Sequence, residues 1–416
     1  MAQGYTGYTI LDNAITIKDS PNLDAFSRLR TSNPQTLFNG QFTYNLLPLL
    51  YEQVTLGGGS ISHDLTNRSA TITLTAAVAA DKAYMQTYEY FAYQPGKSQL
   101  VFITFNMNGQ TVDAFKFAGY SDGDNGVEFQ ADGINAQFTV YTNSLAGDEV
   151  AIQANWNLDK LDGTGRSGIT LDLSKTQILV IDLQALYVGR VRLGFDIGGK
   201  IIYAHEFLHA NLFTYPYLQT ASLPIRCGMI ATGPISTTMD FICTSVISEG
   251  GSDDDNRFGY NFTIPTPVIP VAVGPAYTHM ISIRPKLAFN AFVNRVKTNL
   301  IDIELYNDGN QPVYWELVIG QALTAPMYAD VNTTYSSVEY VTGSTLSGSP
   351  TLVMDSGFAA SSGVVKAQTS TAVTSRYPMT LTVAGTHRDD GTYTLRARSI
   401  SGTQNCYAVL KYREIR

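Results

Sequence analysis

Apolar and polar residues alternate with a period of two in many short runs along this chain, each run bounded by Gly, Asn, Asp or Pro. That is the pattern of half-buried β-strands. It predicts strands at Ala70–Thr75, Val127–Tyr141, Glu149–Trp156, Gly168–Asp172, Thr176–Leu183 and Ile225–Ile230. Four Gly-containing turns predict hairpins. Asn108-Gly109 joins Val101–Met107 to Gln110–Phe117, and Gly198-Gly199 joins Val191–Ile197 to Lys200–Phe207. Asp308-Gly309 joins Ile301–Asn307 to Asn310–Val318, while Asp390-Gly391 closes a longer loop between Met379–Ala384 and Thr392–Arg398. No long 3.6-residue apolar stripe with caps at both ends is present; Leu158–Leu161 and Asn290–Lys297 are candidates for short helical turns. The expectation is an all-β chain: an antiparallel β-sandwich or jelly roll, then a smaller C-terminal β-sandwich region, preceded by an extended N-terminal arm.

Turn-forming, acidic residues at Glu249–Asn256 mark a domain boundary. The prolines Pro265, Pro267, Pro270 and Pro275 that follow suit an extended connector or an edge strand. Residues 1–39 then form the arm, 40–250 the jelly-roll-like sandwich, 251–335 a β-rich middle region and 336–416 a C-terminal β region. The stretch 251–416 also fits a single domain.

At 416 residues the chain can bury two or three cores. Its charged fraction is 15 %, against about 25 % for an average soluble domain, which suits a surface covered by neighbouring subunits. A net charge of -8 lacks the footprint of a nucleic-acid binder, so no nucleic-acid partner is expected. Cys227, Cys243 and Cys406 show no C-x-x-C spacing and read as buried thiols of a reducing compartment. Neither an export signal near Met1–Tyr8 nor an apolar run of membrane-spanning length is evident, and no membrane partner is expected.

The sharpest catalytic candidate is His205-Glu206-Phe207-Leu208-His209, which matches the H-E-x-x-H zinc-hydrolase pattern. The pattern works on a helix, where both imidazoles share a face. The turn at Gly198-Gly199 instead predicts a strand, with Ala204 opposite Leu193 and His205 opposite Arg192. Residues four apart on a strand are separated by ~13 Å, too far to share one ion. Gly163–Gly168 matches G-x-G-x-x-G without the strand before it and helix after it, and reads as a loop. Gly96-Lys97-Ser98 reads as a turn before a strand. Carboxylates at Asp122–Glu128 and Asp253–Asn256 are dense enough for Ca²⁺ but lack EF-hand spacing. No metal, cofactor or catalytic residue is assigned. Aromatics cluster at Tyr84–Tyr93 and Phe213–Tyr217, where Tyr215 and Tyr217 are candidate glycan contacts; core filling and subunit interfaces are the alternatives.

The segment Leu23-Asp-Ala-Phe-Ser-Arg-Leu-Arg-Thr-Ser-Asn-Pro-Gln-Thr-Leu-Phe38 resembles the leading segment of a family of structural proteins from tailed bacteriophages. Tyr84-Met-Gln-Thr, Tyr93-Gln-Pro-Gly-Lys-Ser-Gln99, Asn155-Trp-Asn157, Ser167–Asp172, Lys175-Thr-Gln, Val188-Gly-Arg-Val-Arg192 and His205-Glu-Phe resemble landmarks of the same proteins, and Ser336–Tyr340 shares their flavour. The resemblance covers much of the first 250 residues and thins afterward. It implies a non-enzymatic virion protein, assembled in the host cytoplasm, that docks on copies of itself and on capsid or tail proteins. A trimer or hexamer fits such a role. Leu23, Phe26, Arg28, Leu29, Arg30, Leu37 and Phe38 are the expected docking residues of the arm. A tail-borne protein that binds a host surface glycan is the alternative, and a zinc hydrolase a remote one.

Overall fold

The computed structural model describes residues 8–11, 14–17, 23, 24, 26, 34–94, 96–184, 187–220, 222–250, 259–367, 377 and 379–416. Contacts divide the chain into an N-terminal unit, Met1–Thr87 with Tyr93–Ser252, and a C-terminal unit, Tyr88–Ala92 with Asp253–Arg416. Both are built of antiparallel strands, and the chain is all-β.

The N-terminal unit contains β1 (Tyr8–Leu11), β2 (Ala14–Ile17), β3 (Gln35–Gln41), β4 (Tyr51–Leu56), β5 (Gly59–Asp64), β6 (Ser69–Ala77), β7 (Lys82–Thr87), β8 (Ser98–Asn106) and β9 (Ala114–Ser121). It continues with β10 (Gly126–Ala131), β11 (Ala136–Tyr141), β12 (Glu149–Ile152), β13 (Thr176–Leu183), β14 (Val191–Ile197), β15 (Lys200–Phe207), β16 (Ile225–Ala231) and β17 (Ile235–Glu249). One sheet runs β12-β11-β10-β9-β16-β7-β4 and the other β15-β14-β13-β8-β17-β6-β5, with β3 added beside β17. Aromatic rings join the two sheets into a jelly-roll-like sandwich. The ring of Phe129 on β10 lies 6.1 Å from Phe105 on β8 and 5.1 Å from Phe195 on β14, and Tyr51 on β4 lies 5.8 Å from Phe241 on β17.

One of the four expected hairpins forms. Gly198 and Gly199, with φ of 63° and 77°, make the two-residue turn between β14 and β15. Asn108 and Gly109 also have positive φ, but β8 pairs with β13 and β17 while β9 pairs with β10 and β16, so the turn crosses between sheets. Lys116 explains the crossover: its buried ammonium donates to the carbonyls of Met107 at 2.5 Å, Gly109 at 3.2 Å and Thr238 at 3.0 Å. Burial pushes its pKa down to about 8. Asp308-Gly309 likewise links two sheets, and Thr392–Arg398 pairs with strands other than Met379–Ala384.

Other expectations are corrected as well. Val127–Tyr141 is a hairpin of β10 and β11 around Asp132–Asn135, whose N–H groups at Ile134 and Asn135 bond Asp132 Oδ1. Gly168–Asp172 holds only an isolated bridge, Asp162 to Thr170. Leu158–Leu161 is not helical, because the Leu158 and Asp159 N–H groups both turn to the Ala204 carbonyl, each at 3.1 Å. In Asn290–Lys297, positive φ at Asn290 and Ala291 makes a tight turn between Ala288–Phe289 and Phe292–Val293.

The C-terminal unit pairs Tyr260–Pro265, Gln404–Ile415, Lys297–Asn307 and Gly363–Ala367 in one sheet, with Val271–Val273 also on Gln404–Ile415. Its second sheet runs Ala329–Asp330, Val338–Thr342, Thr278–Pro285, Tyr393–Ser399, Val313–Ile319 and Leu352–Ala359. The stretch Ser336–Tyr340 is anchored inside this unit: the Ser336 hydroxyl and the Ser337 N–H both donate to the buried Glu414 carboxylate, at 2.7 and 3.0 Å. Residues 336–416 are therefore continuous with 259–335 in one unit.

Candidate functional site

His205, Glu206 and Phe207 are the last residues of strand β15. A β-bulge at Leu193/Gly194 makes Ala204 the extra residue, so His205 faces Leu193 and Glu206 faces Arg192, one position away from the expected register. The strand geometry separates the two histidines. His205 Nδ1 accepts the Asn157 N–H at 3.2 Å, and burial pushes its pKa down to about 4 against the pull of Glu149. His209 lies beyond the strand, between the Gly189 carbonyl at 2.5 Å and Glu149 Oε1 at 2.8 Å. Each imidazole is committed to its own partners, and among the described residues no three His, Cys, Asp or Glu side chains converge as metal ligands.

The edge of β15 is closed by side chain and loop. Trp156 buries its indole against Phe138, with centroids 4.5 Å apart, and donates to the Ala151 carbonyl at 3.0 Å. That anchor places Asn157 beside Glu206, where its amide accepts the Glu206 N–H and donates to the Glu206 carbonyl, both at 2.9 Å. Such cover blunts a strand edge that would otherwise template pairing with another chain.

His209 also gathers three loops into one surface. Its ring stacks on Tyr217 at 3.7 Å, its carbonyl accepts the N–H groups of Leu212 and Phe213, and its imidazole reaches residues 149 and 189. The Tyr217 N–H donates to the Tyr187 carbonyl, the Ser144 hydroxyl to Pro216, and the Gln219 amide to Asn143. Tyr217 is fully buried by this stacking and burial raises its pKa, so it offers no ring face to a sugar; this corrects its place beside Tyr215 as a glycan contact. Tyr215 is 46 % exposed, and Leu145, Tyr187, Val188, Leu212 and Phe213 are exposed around it.

The arm signature meets the same unit on the outer face of the eight-stranded sheet. There Leu100, Val180 and Tyr203 form an apolar cluster with Phe102, Leu158, Ile201 and Ile247. Within this face Arg192 Nη2 donates to Asp182 Oδ2 at 2.5 Å and to the carbonyl of buried Leu23 at 2.7 Å. Asp182 also accepts the Tyr203 and Ser98 hydroxyls at 2.7 and 2.9 Å. Asp24 Oδ1 accepts the Phe26 N–H, and Phe26 is half-buried. Arg28, Leu29 and Arg30 lie outside the described residues. Leu37 is half-buried at a bulge of β3, and Phe38 packs edge-on against Tyr51 at 5.8 Å. Since Gln35–Gln41 is a sheet strand, the arm as bounded at residue 39 runs into the sandwich.

A polar group on the outer face of the seven-stranded sheet was not read from the sequence. Register aligns Thr139, Glu128, Gly119, Arg226, Gln86 and Glu52 across six strands. Gly119 lets its neighbours meet above it: a Cβ there would come 2.7 Å from Glu128 Cγ, and Glu128 and Arg226 stand 3.7 Å apart as an ion pair. Arg226 stacks on Tyr84 and Phe117, 4.8 and 4.6 Å from their centroids. Gln130 joins Glu128, Gln137, Thr139 and Tyr141 through its amide, and burial beside Glu128 pushes the Tyr141 hydroxyl up to about 12. In a period-two reading these positions count as solvent-facing; Glu128, Gln130, Thr139 and Arg226 are buried. The acidic loop Asp122–Glu128 is thereby divided, with Asp122 capping the N–H groups of Asp124 and Asn125 and Glu128 inside this group. Asp253–Asn256 lies outside the described residues.

No family model and no curated protein matches the chain. Among solved structures, an endo-1,3-beta-glucanase from Streptomyces sioyaensis is similar at 11 % identity and a TM-score of 0.38, over 52 % of this chain and 97 % of that one. A carbohydrate esterase from the Shiga toxin-encoding bacteriophage phi24B is similar at 11 % identity and a TM-score of 0.34, over 52 % of this chain and all of that one (100 %). A glycosyl hydrolase family 16 protein from Mycobacterium smegmatis shows 13 % identity and a TM-score of 0.34, over 51 % and 100 %. Likeness at this level assigns neither ancestry nor activity.

Proposed function

We propose that this chain is a non-enzymatic structural component of a tailed-phage particle, docked through its N-terminal segment and a low-charge surface. The observation that supports this most is the seat for Leu23, a contact within the chain that builds the phage-like segment into the sandwich. A fully buried arginine–aspartate pair is costly unless its geometry and further hydrogen bonds offset the desolvation. Here the offset includes a main-chain carbonyl of the very segment that resembles phage structural proteins. Replacing Phe26, Arg28 and Arg30 together by Ala is expected to leave the chain folded and prevent its incorporation into particles. Normal incorporation rejects the arm as a docking element. Quantitative mass spectrometry of purified particles tests the wider reading, and absence of the chain rejects it.

A second reading, binding of a host surface glycan, is favoured by exposed Tyr187, Phe213 and Tyr215 on loops held together by His209. Loss of glycan-array binding on Tyr215→Ala supports it, and no binding by the intact chain dismisses it. Hydrolysis of a glycan fits less well. Two carboxyl groups typically flank a glycosidic bond about 5–9.5 Å apart. Glu128 has Gly119 and Thr139 as strand neighbours, and Glu52 in the same row stands four strands, ~19 Å, away.

A further inference from the structure

We infer that the surface carrying Leu145, Tyr187, Val188, Leu212, Phe213 and Tyr215 is where a second copy of this chain docks. The inference rests on the structural-component reading and names the contact surface within it. Three observations carry it.

The first is area. These six side chains are between 38 % and 80 % exposed. At the ~200 Å² typical of large apolar residues they present roughly 600 Å², most of the ~800 Å² that each partner contributes to a standard interface. Large apolar surface gathered in one place on a soluble unit marks an interaction site.

The second is pre-organisation. The loops come from three separate stretches of chain, yet His209, Tyr217, Ser144 and Gln219 tie them to one another. Holding the loops before contact lowers the entropic cost of association. His209, Tyr217 and Glu149 do this from beneath, so the exposed residues are left for contact.

The third is the route that the fold closes. Asn157 and the 158–159 backbone occupy the edge of β15 at Ala204 and Glu206, so a neighbour cannot pair with the last residues of that strand. Association beside Glu206 therefore uses side chains. The area favours a copy of itself as the occupant, since two such patches set face to face supply most of what a standard two-sided interface buries. Closed homo-oligomers are the commonest arrangement of soluble subunits.

The test is sedimentation velocity on the full chain at tens of micromolar, beside a Leu145→Asp/Leu212→Asp variant. Both positions are strongly exposed, so the variant is expected to keep the wild-type melting temperature. The wild type is expected to sediment as a multiple of the monomer mass and the variant as a monomer. A monomeric wild type, or a variant that stays associated, overturns the inference. If the wild type is monomeric and binds a glycan array in a way the variant does not, a sugar is the occupant and the inference falls. Copy number in particles is read separately. A chain found in particles but monomeric in solution sinks this inference alone, while a self-associating chain absent from particles sinks only the reading beneath it.

Discussion

Asn157 acts toward Glu206 as a neighbouring strand would, exchanging both an accepted N–H and a donated amide hydrogen with the same residue at 2.9 Å. One side chain thus reproduces the two-bond pairing of an antiparallel ladder. Asn157→Asp keeps the acceptor, loses the donor and sets a carboxylate against the Glu206 carbonyl. The site is exposed, so the expected loss is about 1 kcal/mol. Urea unfolding of the two proteins checks it, and an unchanged midpoint would show that the pairing adds nothing.

Removing the cation of the arm seat should be far more damaging. In Arg192→Ala, Asp182 stays buried, keeps the Ser98 and Tyr203 hydroxyl donors and loses the guanidinium it pairs with. The expected destabilisation is ~3–5 kcal/mol, whereas Arg192→Met with Asp182→Leu should cost markedly less because no charge is stranded. Denaturation midpoints compare the three chains. Limited proteolysis adds a second readout, since cleavage near Leu23 should accelerate in the single variant.

Lys116 predicts an alkaline gain in stability. Its folded pKa of about 8 lies below the ordinary lysine value of 10.5, so between these values the unfolded chain holds a proton that the folded chain has released. Stability then rises with pH across that window. Lys116→Met should flatten this part of the profile. Equal slopes in both proteins would remove Lys116 as the cause.

Two histidines predict the opposite limb. Burial holds both His205 and His279 at about 4, against 6.5 for an ordinary histidine. Their stabilising effect is complete above pH 6.5 and is lost as pH falls toward 4, because the unfolded chain protonates first. His279 has a fixed tautomer: Nδ1 accepts the Ser344 N–H, so Nε2–H donates to Ser282, whose hydroxyl also pairs with that of Thr394. The ring therefore donates to Ser282 and does not act as its base. His205→Gln should reduce the acid slope of unfolding, and imidazole signals by NMR should show both rings neutral at pH 5.

Much of the fold could be read from alternation because inward positions such as Val127 and Phe129 are apolar and turns carry Gly or Asn. What alternation could not reveal was partnership. The residues at Asn108-Gly109 do adopt a tight turn, but a lysine eight residues later draws the carbonyls together and the chain changes sheet. An outward polar position such as Glu128 looks solvated until register shows glycine beside it and arginine beyond. Asn157 and Arg192 stood inside stretches already singled out by their resemblance to phage proteins, Asn155–Asn157 and Val188–Arg192. Their roles depend on contacts 49 and 169 residues distant in sequence, which no local pattern encodes.

The C-terminal unit includes five residues, Tyr88–Ala92, that are synthesised long before the rest of it. Arg388 rests on Tyr88 at 3.3 Å, Arg295 on Tyr90 at 4.6 Å, and Lys297 pairs with Glu89 at 3.0 Å. A gene fragment beginning after residue 252 would encode those three cations without Tyr88, Glu89 and Tyr90, leaving Arg388 its Asp390 and Arg295 the carbonyls of Thr382 and Val383. The second half of this protein is therefore not a cassette that recombination can trade as one contiguous piece; a successful exchange must also carry a short stretch from the middle of the first half.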